Sequence, residues 1–283
     1  MTTRHVTVGV DGSVAATWAL DRAADEAERR GIALHVVYAV PDRDEAGPVL
    51  ASAASRVRAR RPGLPVVTSA VERSPAHALV REGRDADLTV VGTRGLGGVT
   101  GRLFGSVSLR LAAHTRSPLL VVRGDQPSGG SGTVLLGIET DADADAAAYA
   151  FAEAERRTAR LSVVHAWTHR HLSPELPSLV PATSPGQQAD ARRARSEEAV
   201  PRFTLAGLQE RYPHVGIETR TVRTVPAQAL LTATREADIV VIAAHRDPNR
   251  HGVHLGPVTH TLLHHSHCPV VIVPAGWDKG SPT

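Results

Sequence analysis

Residues Val90–Ser108 read VVGTRGLGGVTGRLFGSVS. An apolar run, Leu88 to Val91, ends at Gly92. A loop with Gly92, Gly95, Gly97, Gly98 and Gly101 follows, and a helical pattern begins at Gly105-Ser106. Strand, glycine loop and helix start therefore succeed one another. Glycine lets the backbone take positive φ and lets a ligand approach closely. The first amides of a helix, with its dipole, suit a phosphate. The same residues also read as a surface loop closed by an N-cap serine.

Outward from this stretch, strands alternate with helices. HVTVGV (His5–Val10) is a short strand, Asp11-Gly12-Ser13 turns out of it, and Ser13 caps a helix to about Arg30 that Gly31 ends. IALHVVYAV (Ile32–Val40) is apolar throughout, as a strand covered on both faces must be. A helix over about Ala46–Arg60, a strand over Pro65–Val71, a short helix from Ser74-Pro75, a strand over Asp87–Gly92, a helix from Ser106 and a last strand PLLVVR (Pro118–Arg123) complete the pattern. This is an α/β doubly wound parallel sheet.

The pattern then restarts. GDQPSGGSG (Gly124–Gly132) is a flexible linker. VLLGI (Val134–Ile138) repeats VTVGV, LSVVHA (Leu161–Ala166) repeats IALHVVYA, Asp238–Ile242 repeats Asp87–Val91, and Cys268–Pro274 repeats Ser117–Arg123. From Asp87 and Asp238 onward the two copies align without gaps. The chain is a tandem duplication, with domains expected over 1–125 and 133–275 and a linker over 124–132. Its second copy carries a proline-rich insert over about His169–Pro185, expected as a surface loop, and then a charged helix over about Ala189–Arg211.

Composition narrows the chemistry. The chain has 283 residues, 42% hydrophobic and 22% charged, with a net charge of +3. That is globular composition. Lys279 is the one lysine, so a Walker-type phosphate loop and lysine chemistry are excluded, and an anion must be held by backbone N–H groups, arginine or a metal ion. No basic stripe with interleaved aromatics marks a nucleic-acid surface. No apolar run is long enough to span a membrane, and MTTRHVTVGV leads directly into a strand, so a cytoplasmic protein is expected. The lone Cys268 rules out an internal disulfide.

The spacing Gly92-x2-Gly95-x9-Gly105-Ser106 resembles the G-2x-G-9x-G-[S/T] signature of ATP-binding universal stress proteins. The opening VGVDGS, the strand ending at Val40 and the SPLLVV ending are similar to that family too, and the resemblance covers the chain twice. It implies tandem Rossmann-like domains of the adenine-nucleotide α-hydrolase type. It also implies a cytoplasmic regulator of stress or dormancy responses, working through nucleotide-dependent conformation or association. By the same resemblance, Gly9 and Asp11, at the end of the first strand, are ATP-binding residues, with Asp11 beside the nucleotide and its Mg2+. Val40 offers backbone hydrogen bonds to adenine. Gly92, Gly95 and Gly98 bring the backbone to ribose and phosphate. Gly105, Ser106, Val107 and Ser108 hold phosphates through N–H and hydroxyl groups. Arg94 and Arg102 are candidate phosphate partners, though each also reads as a solvated surface residue.

The second copy departs from the signature. Gly92 maps to Ala243, Gly95 to Arg246, Gly105 to Gly256, Ser106 to Pro257 and Asp11 to Glu139. Pro257 removes a backbone N–H at the helix start, although proline suits a first helical turn. This copy is expected to bind ATP weakly or not at all and to cover the first. His245, Arg246 and His251 are candidates for a different anion site there. Of the 15 histidines, 11 lie after residue 133. His260 and His264 have a spacing that can hold zinc, but no carboxylate joins them at a diagnostic interval, and they read as exposed histidines.

No nucleophile elbow or paired-carboxylate motif appears, and Ser13, Ser106 and Ser108 read better as caps or phosphate ligands. The place of the SGGxDS-like loop of related adenylating enzymes reads DGSVAA here. The reading is a nucleotide-binding regulator with at most weak ATP hydrolysis. The competing classes are an enzyme of the α-hydrolase type and a structural partner that binds nothing. Each copy ends in an apolar edge strand, LLVV or VVIV, that needs covering. In the family these strands pair across a two-fold axis; one tandem chain can make that pairing internally, and a homodimer through them is the other arrangement.

Overall fold

The computed structural model describes residues 4–40, 43–93, 106–124, 130–168, 185–244 and 255–277. The first half runs β1 (His5–Val10), α1 (Val14–Arg30), β2 (Ala33–Ala39), α2 (Gly47–Arg60), β3 (Val66–Val71), α3 (Pro75–Glu82), β4 (Leu88–Gly92), α4 (Ser106–His114) and β5 (Leu119–Val122). The second runs β6 (Thr133–Ile138), α5 (Ala144–Arg157), β7 (Arg160–Trp167), α6 (Pro185–Arg211), β8 (Ile217–Arg223), α7 (Pro226–Ala233), β9 (Ile239–Ala244), α8 (Pro257–His265) and β10 (Val270–Pro274). Helix α6 begins one turn before the expected Ala189 and continues through Pro201.

Local chemistry sets these boundaries. Ser13 accepts the Ala16 N–H at 3.1 Å and caps α1. Gly31 ends it in the left-handed region, φ 62°. The corresponding cap of α5 is Thr158, φ 51°, the one non-glycine with positive φ among the described residues. Ahead of α5 the chain makes a 3-10 turn, Asp141–Asp143, and α5 starts at Ala144.

All ten strands form one sheet in the order β3-β2-β1-β4-β5-β10-β9-β6-β7-β8. Within each half the pairing is parallel, and at the seam β5 and β10 run antiparallel, with Leu120 opposite Val271. The two apolar end strands therefore cover each other inside one chain. Each has both edges in a ladder, so a homodimer using those edges would have to open this seam first.

The core is two layers, one on each face of the sheet. One packs α1, α2, α5 and α6 through residues such as Val8, Leu20, Val57, Phe151 and Leu205. The other packs α3, α4, α7 and α8 through Leu79, Leu111, Leu230, Leu262 and Ile272. Both layers run across the seam, so the halves share their burial.

Candidate nucleotide site

In each half the connections leave the first strand in one direction and return on its other side. The sheet's crossover therefore lies between β1 and β4 in the first half, where open α/β sheets take ligands at the carboxyl ends of their strands. The described residues that meet there are Asp11 after β1, Val40 after β2, Gly92 at the end of β4, and the first turn of α4.

Asp11 is half-buried, and its Oδ1 accepts the Ser13 N–H at 3.0 Å, which shapes the turn into α1. Val40 is 3% exposed, and its N–H donates to Val71 O at 3.1 Å, tying the end of β2 to β3. Ser108 is buried, and its hydroxyl donates to Gly92 O at 2.9 Å. That bond fixes the start of α4 over the end of β4, and it engages the hydroxyl proton assigned by resemblance to a phosphate. Val107, also a candidate, packs partly against the α3/α4 core layer. Arg94, Gly95, Gly98, Arg102 and Gly105 lie outside the described residues.

The two described glycines have different reasons. A Cβ on Gly92 would stand 2.7 Å from the Ala15 carbonyl oxygen and 2.9 Å from its carbon, backbone atoms that cannot swing away. A Cβ on Gly9 would meet Leu79 Cδ1 at 2.7 Å, and on Gly137, its counterpart, Leu230 Cδ1 at 2.8 Å. Since Gly137 makes this contact in the half that has lost the motif, the glycine here serves the packing of α3 and α7 on the sheet.

The second half carries other residues at the same place. Asp143 Oδ2 accepts the N–H groups of Glu139 at 2.6 Å and Thr140 at 3.2 Å. Its neighbour in the cleft is Ala243, the counterpart of Gly92. The cavity there is about 40 Å³, room for a few waters. Trp167 stands in the register position of Val40, with the Arg223 guanidinium 5.5 Å from its ring centre. Below it His165 is buried; its Nδ1 donates to Ile138 O at 2.9 Å, and Nε2 lies 3.1 Å from Glu197 of α6. His245, Arg246, His251 and most of the insert lie outside the described residues.

No group of three or more metal-ligating side chains is present among the described residues. The rings of His260 and His264 lie 4.3 Å apart. His264 is pushed below the ordinary histidine value by burial and by the neighbouring His260, His265 and Arg123. Cys268 is 3% exposed, and burial pushes its thiol up to about 12, far from a nucleophile's range. No helix among the described residues is long and apolar enough to cross a membrane.

One constellation went unread in the sequence. Helices α1 and α5 meet across the seam through Glu26 and Glu153, both 0% exposed. Arg30 reaches Glu153 at 2.8 Å and Tyr149 OH at 3.0 Å, Arg157 reaches back to Glu26, and each arginine also pairs with the glutamate of its own helix. The available signal was the string E-A-E-R-R, present at Glu26–Arg30 and again at Glu153–Arg157.

The universal stress protein family model matches residues 2–61, 49–123 and 131–274. Universal stress protein Rv2623 of Mycobacterium tuberculosis is 33% identical over 292 residues, covering 94% of this chain and 95% of that protein. Universal stress protein Rv2005c of the same organism is 32% identical over 293 residues, covering 94% and 96%. The crystal structure of a universal stress protein from Archaeoglobus fulgidus superposes with a TM-score of 0.67 at 16% identity, covering 98% of this chain and 100% of that one. With two repeats of one α/β unit, the glycine signature in the first and a match along nearly its whole length, the chain belongs to the universal stress protein family.

Proposed function

We propose that the first half binds ATP at the crossover between β1 and β4, and that the chain acts as a nucleotide-dependent regulator of a stress response rather than as a turnover enzyme. The observation that carries this reading is the Ser108–Gly92 hydrogen bond at 2.9 Å. It sets the first turn of α4 at the carboxyl end of β4, so the amides at that helix start face the place where a phosphate would lie. Ser106 opens α4, while its counterpart Pro257 opens α8 without an N–H. In this reading Val40 offers its carbonyl to adenine, the Gly92–Gly105 loop wraps ribose and phosphates, and Asp11 stands beside the phosphate-bound Mg2+. The second half, with Ala243, Trp167 and Pro257, covers the first and holds no nucleotide.

The test is nucleotide stoichiometry on the full chain, by content after purification and by calorimetric titration with ATP, beside a Ser106→Pro variant. Proline fits a first helical turn, so the variant keeps α4 and loses one N–H and one hydroxyl. A single ATP per chain is expected, bound at least about tenfold more weakly by the variant. Two per chain would overturn the one-site reading. No binding at all would make the chain a structural partner.

A further inference from the structure

Two strands end the sheet, β3 and β8, and their edges are unlike. In β3 the sequence is VVTSAV, with no charge and no proline. In β8 it is IETRTVR, with Glu218, Arg220 and Arg223. Charged side chains along an open edge discourage pairing with another strand, because pairing would strip their water. Glu218 and Arg220 already hold each other at 2.6 Å along β8. Strand β3 carries no charged side chain of its own, and Val67 stands 56% exposed on it.

The ladder fixes which backbone groups of β3 point outward. Pro65 O accepts from Leu34 and Val71 O accepts from Val40, so the odd-numbered residues of this strand turn their N–H and C=O toward β2. The N–H and C=O of Val66, Thr68 and Ala70 therefore face away from the sheet. An antiparallel copy of the same strand satisfies all of them, with Thr68 opposite Thr68 and Val66 opposite Ala70. Cross-strand threonine pairs are favourable neighbours.

We propose that β3 is a dimerisation edge and that its partner is β3 of a second copy of this chain, paired antiparallel about a two-fold axis. The seam between β5 and β10 demonstrates that this unit accepts antiparallel edge pairing. Among the described residues both end strands lack an outer neighbour, but β3 is uncharged and β8 is charged, so assembly through β3 closes at two copies instead of growing into a filament. A contact made mainly by one short strand from each copy lies at the small end of specific interfaces, so the dimer is weak and concentration-dependent.

The experiment is sedimentation equilibrium of the full chain up to about 1 mM, since affinities at the weak end lie in the micromolar to millimolar range. Amide hydrogen exchange is followed at low and high concentration alongside. A reversible monomer–dimer equilibrium is expected, with the amides of Val66, Thr68 and Ala70 protected only at high concentration. Thr68→Pro removes an outward N–H that the fold does not use, at an edge position where proline is tolerated, and should leave monomer. Thr68→Lys should do the same, which covers the case in which the proline variant misfolds. Thr219→Lys on β8 should leave the dimer intact. Monomer at every concentration, a dimer indifferent to Thr68→Lys, or one abolished by Thr219→Lys would each overturn the proposal.

Discussion

At Gly92 a single missing methyl group sets the spacing between β4 and the start of α1. Its backbone is not in the left-handed region, so the demand for glycine comes from contact alone: a Cβ there would press on the Ala15 carbonyl at 2.7 Å. Gly92→Ala is therefore expected to destabilise the nucleotide-free protein by about 1–3 kcal/mol, the usual cost of overpacking, checked by urea denaturation without ligand. Unchanged stability would mean that α1 shifts freely, and the glycine would then belong to ligand approach alone. The residue scale is also where the sequence was least legible. A glycine that admits a ligand and one that admits a leucine look alike in a string of letters. Gly9 was assigned to the nucleotide by resemblance, yet Leu79 already explains it. Ser108 has the residue type of a phosphate ligand, but its donor is engaged by Gly92.

At the scale of elements, strands and helices were readable because two-sided hydrophobicity, cap residues and turn residues are local signals. Strand β1 matches HVTVGV, and β2, β4 and β5 fall inside the expected Ile32–Val40, Asp87–Gly92 and Pro118–Arg123, with ends shorter by one residue. The ion pairs between α1 and α5 were not readable, since a glutamate four residues before an arginine is usually a solvated pair on one helix. Here the seam turns the two local pairs toward each other and buries them. Burial pushes both carboxyls up, and Glu153 also raises Glu26. Arg30 and Arg157 outweigh this, so both stand below the ordinary value, Glu153 well below. Removing one charge leaves its arginines buried without it. Glu153→Gln should cost about 3–5 kcal/mol, as breaking buried pairs does, and the exposed Glu155→Gln should cost almost nothing. Equal denaturation midpoints for the two variants would show that the network adds nothing to the seam.

The whole molecule behaves as one unit because its sheet, its two core layers and this network all cross from one half to the other. The duplication was legible from the repeat, and so was the need to cover the apolar end strands, but the sequence left internal pairing and a homodimer as alternatives, and the seam takes the internal one. What one sequence could not show is that the halves share their titrating groups. Both glutamates have folded pKa values below their unfolded ones. Above about pH 4.5, near the unfolded glutamate value, they are ionised in both states and their contribution is complete. As pH falls below that, the unfolded chain takes up protons that the folded chain refuses, and stability is lost until the folded values are passed. Two such groups give a slope of up to about 2.7 kcal/mol per pH unit. Because the network lies across the seam, this loss should unfold both halves together. Urea midpoints measured from pH 7 down to about 3 should fall steeply below about 4.5, with one transition for both halves. The Glu26→Gln, Glu153→Gln double variant should fall less steeply from a lower plateau. An equally steep fall in that variant would assign the acid sensitivity to other carboxylates, and two separate transitions would mean that the shared layers do not couple the halves.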